Sequence, residues 1–214
     1  MNIKFFNVAL GIVLTATTFS ASAQKTYTSG AITLSTEAMG QQIEMKDYFT
    51  SDSSAMSFTA GPATIKILSN TKKTFFAVLV DVPVASMKKA AIATPDEIDQ
   101  QIAAFPKFTF APSAETKQIS GFNCKKVVAT DTKTNKTYDI WVTSDVSIPS
   151  NAFAEYYAGA GGFPIQFTSF NQGREANVTV TKITDEKAPA GTFAISKDFE
   201  KITMDDLKSM GGGN

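Results

Sequence analysis

Across residues 115–143 hydrophobic and polar positions alternate, and two breaks divide the stretch into three runs. Ser120-Gly121 separates the first run from the second, and DTKTNK at 131–136 separates the second from the third. β-branched and aromatic residues fill the runs while Gly, Asn, Asp and Ser collect between them, which predicts three consecutive antiparallel strands. In the third run Tyr138, Ile140 and Val142 share one face of the pleat; Thr137, Asp139, Trp141 and Thr143 share the other.

The same period of two recurs at 26–35 and 39–49, where Ile32, Leu34, Ile43 and Met45 alternate with polar residues, and at 55–60 and 63–68 around Gly61-Pro62. It returns at 165–170 and 176–183. The stretch TFFAVLVDV at 74–82 is apolar on both faces, with Phe75, Ala77 and Leu79 on one side and Phe76, Val78 and Val80 on the other. Such a strand has to be covered twice, either between two layers or with one side on a hydrophobic cavity.

Helical spacing interrupts the strands. Residues 84–93 can form an amphipathic turn or two, and TPDE at 94–97 is a strong start signal: a capping Thr, a Pro at the first helical position and a Glu three residues after the cap. Ile98, Ile102 and Phe105 then fall on one face, and Pro106 ends the helix. Asp96, Glu97 and Asp99 suit the positive end of that helix and lack the spacing of a calcium loop. A second short helix is expected at 149–158 and a third after Thr203, with Asp206 completing its cap. The pattern as a whole predicts a β-rich α+β fold: a curved antiparallel sheet, or incomplete β-barrel, of nine or ten strands with two or three helices covering its concave face.

Composition adds the compartment. Lys4, an apolar stretch at 5–15 and Ala21-Ser22-Ala23 make residues 1–23 a signal peptide, with the cut expected between Ala23 and Gln24. The protein is then periplasmic or secreted, with one domain at 24–210 and a loose tail at 211–214. The part after the cut carries 19 basic and 20 acidic residues and no apolar run of about eighteen, so neither a nucleic-acid partner nor a membrane-spanning helix is expected. Cys124 stands alone and reads as a small buried hydrophobe in a strand.

Histidine is absent altogether, which removes the His-based triads, the common zinc sites and the usual proton shuttle. No nucleophile–base pair stands out, so no catalytic residue, metal or cofactor is expected.

Four segments resemble one family. GFNCKK at 121–126, TYDIWVTSDV at 137–146, GGFPIQF at 161–167 and FAISKDFEKITMDDL at 193–207 resemble the exported bacterial proteins, common in Bacteroidetes, classed as domain of unknown function 4412. Ser196 stands where that family usually has Pro. Such proteins are similar in fold to the periplasmic lipoprotein carriers (LolA-like), incomplete barrels whose apolar concave face is lidded by helices. The resemblance implies a cavity for a lipid or lipoprotein acyl chain, with 94–105 and 150–157 as lid helices. The carriers latch the lid with an Arg, whereas the one Arg here, Arg174, lies in a turn.

Two functions follow as expectations. The first is an envelope protein that binds an acyl chain or other apolar ligand, with Phe58, Phe75, Leu79, Ile98, Ile102, Phe105, Tyr156 and Phe167 as lining. The second is a structural or interaction protein with a solid core, in which Trp141, on the polar side of its strand, marks a partner surface.

Overall fold

The computed structural model describes residues 24–38, 40–149, 155–171 and 173–210. The expected signal peptide, the tail and part of the second expected lid helix lie outside these residues. The strands in chain order are β1 (Lys25–Thr26), β2 (Gly30–Ala38), β3 (Gln41–Phe49), β4 (Ser53–Ala60), β5 (Ala63–Asn70), β6 (Phe76–Val82) and β7 (Met87–Ile92). After helix α1 (Pro95–Ala104) come β8 (Phe108–Ile119), β9 (Phe122–Asp131), β10 (Thr137–Thr143), β11 (Val146–Ser147), β12 (Phe163–Asn171), β13 (Arg174–Thr184) and β14 (Glu200–Ile202), then α2 (Met204–Met210).

Twelve strands form one curved sheet in the order β14-β7-β6-β5-β4-β3-β2-β13-β12-β10-β9-β8. Every neighbouring pair is antiparallel except β14 with β7. The outer strands, β14 and β8, do not pair, so the sheet stays open. β1 and β11 form a separate parallel pair. This is the β-rich α+β fold with an open curved sheet that the alternation predicts.

Local chemistry explains the turns. Ser120 and Gly121 both carry positive φ (51° and 86°), the two-residue turn that matches the right-handed twist of a hairpin. Gly30 faces a different constraint: a Cβ there would run into the carbonyl oxygen of Thr184 where β13 closes on β2.

The sheet has two cores on opposite faces. On the inner face, cross-strand register aligns Ile32, Asp47, Met56, Ile67, Val78 and Ala91 in one row. Leu34, Met45, Phe58, Ile65, Val80 and Lys89 align in the next. The β2–β13–β12–β10–β9 side of this face is filled: Ile32, Leu34, Ile140, Ile165, Phe167 and Val180 are all buried, with Tyr157 packed over them from a short 3-10 helix at Glu155–Ala160. The outer face of β4–β7 carries a second core of Ala55, Leu68, Ala77, Leu79 and Ala90. Phe193, Ile195 and Phe199, from the segment before β14, cover it.

One expected element differs. Residues 84–93 form a brief 3-10 turn (Pro83–Ala85) and then strand β7, because β6 needs an antiparallel partner and Ala90 is small enough to lie under the outer cover. The first strand of the central meander also starts earlier than the alternation indicates, at Phe108.

Candidate functional site

Helix α1 and the end of the β4–β5–β6 meander meet on the inner face. The helix begins where the sequence places it. Thr94 Oγ1 accepts a hydrogen bond from the Glu97 backbone N–H, and Glu97 Oε2 accepts one from the Thr94 N–H (2.7 Å), with Pro95 inside the first turn. Its apolar stripe turns to the sheet, yet only Ile98 is buried; Ile102 and Phe105 remain half-buried.

Beneath α1 lies a pocket of about 80 Å³. Phe75, Phe76, Ile98, Ile102 and Phe105 give it an apolar wall, and Ser54, Ser69, Asn70, Thr71 and Gln101 a polar one. Lys73 and Glu155, also part of its lining, form an ion pair of 2.6 Å between the β5–β6 turn and the 3-10 helix. A complete small-molecule site needs roughly 300 Å³ or more, so this pocket holds one end of a ligand at most. A second hollow, of about 450 Å³, lies at Val146–Pro149 and Gly161–Pro164. Its walls end at Pro149 and Glu155, on either side of residues 150–154, which lie outside the described set.

The eight expected lining residues divide. Ile98, Ile102 and Phe105 converge on the pocket under α1, and Phe75, just before β6, borders it while packing against the outer core with Leu79. Phe58 lies on the same inner face two strand rows away, half-buried. Tyr156 does not line the pocket but backs it, its ring 5.5 Å from Phe105 and 5.5 Å from Phe170. Phe167 is core, 2% exposed, with the Tyr157 ring 5.8 Å away. Leu79 points to the other side of the sheet, into the outer core. Strand period dictates this: once Phe76, Val78 and Val80 face inward, Leu79 cannot.

Trp141 is half-buried rather than open. The Lys117 ammonium from β8 sits 4.0 Å from its ring centroid and donates to Gln166 Oε1 at 3.0 Å. Cys124 is buried, and burial pushes its thiol up to about 11.

The residues not anticipated are the half-buried apolar side chains Ile65, Ile67, Val78 and Val80, and above all Asp47. Asp47 is fully buried on the inner face, between Ile32 of β2 and Met56 of β4. Its Oδ1 accepts a 2.7 Å hydrogen bond from Ser54 Oγ, which lines the pocket, and its Oδ2 has no partner. Burial pushes its carboxyl up to about 7, against the opposing effect of the Ser54 and Ala55 hydrogen bonds. Continuing the alternation of Ile43 and Met45 by one step would have placed Asp47 inward. Among the described residues no group of His, Cys, Asp or Glu is arranged to hold a metal ion, and no helix is long and apolar enough to cross a membrane.

No protein-family model matches the chain, and no curated protein sequence matches it. Among solved structures the chain is similar to PNGF-II in two crystal forms. In the C2 form the TM-score is 0.51 at 17% identity, over 85% of this chain and 32% of that one. In the P21 form it is 0.52 at 17% identity, over 86% and 33%. A likeness of TM-score 0.49 at 9% identity extends to an uncharacterised conserved protein from Thermus thermophilus, covering 82% of this chain and 90% of that one. The chain spans about a third of the length of PNGF-II, and what the two share is an architecture.

Proposed function

We propose that the protein is an exported, non-enzymatic binding module of the cell envelope that holds an acyl chain against the inner face of β4–β6, with α1 as a lid. One observation carries the reading. Phe58, Ile65, Ile67, Phe76, Val78 and Val80 point inward yet belong to neither hydrophobic core, and all six stay half-buried. Soluble proteins rarely leave so contiguous an apolar surface without a use for it.

The energetics fit a chain-shaped ligand. Each buried methylene contributes about 0.8 kcal/mol, so eight of them contribute roughly 6 kcal/mol before the costs of association. Long chains are therefore favoured over short ones. The lid role rests on the thin attachment of α1, which buries one side chain, and on the small pocket beneath it: a ligand longer than its head needs the helix displaced. The resemblance to the exported 4412 proteins points the same way.

A second reading, an envelope protein with no ligand, draws support from the small size of that same pocket. Titration with a fluorescent apolar probe, N-phenyl-1-naphthylamine, separates the two. Saturable binding that Ile67→Asp abolishes, in a variant that keeps the wild-type circular dichroism spectrum, is the expected result. Absence of saturable binding to the wild-type protein would remove the ligand-binding reading.

A further inference from the structure

We propose that Asp47 and Ser54 form the polar end of the acyl-chain site, and that this end selects a single-chain lipid whose head is small and uncharged and both donates and accepts hydrogen bonds. A long-chain alcohol and a protonated fatty acid have this chemistry. The inference deepens the proposed function and rests on it.

The placement comes first. Ser54 is part of the pocket wall under α1, and Asp47 lies directly behind it, fully buried, with one carboxyl oxygen unpartnered. The inner-face rows that carry Met56, Ile67 and Val78, and then Phe58, Ile65 and Val80, lead away from this point along β4–β6. A head at Ser54 therefore sends its chain over the apolar surface. Buried acids without a partner are costly, and an apolar residue in this position would avoid the cost.

Size and charge then define the head. A pocket of about 80 Å³ admits a hydroxyl or a carboxyl and excludes a phosphodiester headgroup. The one cation among its lining residues, Lys73, is paired with Glu155 at 2.6 Å, so an anionic head finds no free counter-charge there. Around Asp47 itself, β2 presents Ile32 and β4 presents Met56 and Ser54. Lys46 and Tyr48, its chain neighbours, bind Glu186 on the other side of the sheet. Among the described residues nothing cationic offsets Asp47, and an ionised head would face it unscreened. The Ser54–Asp47 hydrogen bond can run in either direction as the acid gains or loses its proton, which a head that both donates and accepts tolerates.

Displacement of N-phenyl-1-naphthylamine by 1-dodecanol, dodecanoate, dodecyl phosphate and dodecane tests this on the full protein. At about pH 9, where dodecanoate and Asp47 are both ionised, dodecanol should displace the probe at concentrations about tenfold below dodecanoate and dodecyl phosphate. At about pH 5, where Asp47 holds its proton and part of the dodecanoate is neutral, the gap between dodecanol and dodecanoate should narrow. Asp47→Asn removes the charge and keeps the shape, so it should narrow the gap at high pH; Ser54→Ala, a second variant, should erase the preference for dodecanol over dodecane. Dodecanoate equal to dodecanol at high pH, or a gap that Asp47→Asn leaves unchanged, overturns the inference. Equal binding of dodecanol and dodecane overturns the polar end while the chain site stands. If no probe binds, dodecane included, the chain site itself is lost and the inference with it.

Discussion

Ser54 Oγ lies 2.7 Å from Asp47 Oδ1, donating to a carboxyl group that is sealed from water between two apolar neighbours and also meets the Ala55 backbone. It marks a seam in the inner face. On the β2 side the sheet is filled by Ile32, Leu34, Phe167 and Tyr157; on the β4 side the apolar side chains remain half-buried. The polar group thus stands where the solid part of the interior gives way to the part proposed to receive a ligand.

Asp47 makes stability fall as pH rises. Its folded-state value, about 7, lies above the ordinary carboxylate value, so the folded protein holds a proton that the unfolded chain releases. The contribution is fully present below the unfolded value near 3.8 and is lost as pH climbs to about 7, an effect on the order of 4 kcal/mol. Urea denaturation across this window should show the slope for the wild-type protein and not for Asp47→Asn. An identical slope in both would show that another group is responsible.

Tyr157 anchors the filled half. It is fully buried, donates to the Thr168 carbonyl at 2.8 Å and stacks on Phe108 at 5.3 Å between centroids. Tyr157→Phe should cost about 1–2 kcal/mol through the orphaned carbonyl, and Tyr157→Ala about 3–5 kcal/mol through the cavity. Chemical denaturation of the two variants gives both values.

The thiol of Cys124 should be inert in the native protein. Burial at 1% exposure, together with its raised thiol value, leaves little thiolate near pH 8 and no path to it. Labelling with a thiol-reactive disulfide should run at least about a hundredfold slower than in denaturant. Fast native labelling would mean that β9 opens locally.

Helix α1 should open before the sheet it covers. Ile98 is its one buried side chain, so Ile98→Ala removes its main attachment, while Thr94→Ala costs about 1 kcal/mol of capping. Hydrogen exchange should speed up across Pro95–Ala104 in both variants, and the strands β9, β10 and β12 should keep their protection. Simultaneous loss of protection in helix and sheet would argue against an independent lid.

Much of this architecture is written in local patterns. The TPDE start, the stripe of Ile98, Ile102 and Phe105 and the turn at Ser120-Gly121 each act within a few residues, and each appears as the pattern indicates. The faces of β6 were not legible, because TFFAVLVDV is apolar on both. Which face becomes outer core is decided more than a hundred residues later, where Phe193, Ile195 and Phe199 settle on Leu79 and its neighbours. The same distant choice leaves Val78 and Val80 inward and half-buried. Residues 84–93 read as helical for a related reason: the partner strands β6 and β14 impose extension on a segment of weak local preference. Asp47 was visible only as one polar letter in an alternating run, and its meaning depends on neighbours from β2 and β4.

Native mass spectrometry of protein purified from its native host, without detergent or organic solvent, tests the proposed role of the inner face most directly. The expected spectrum contains a population heavier than the bare chain by the mass of one single-chain lipid, and Ile67→Asp should shed it. A spectrum of bare protein alone, in a preparation that also fails to take up added 1-dodecanol, would contradict a ligand-binding role.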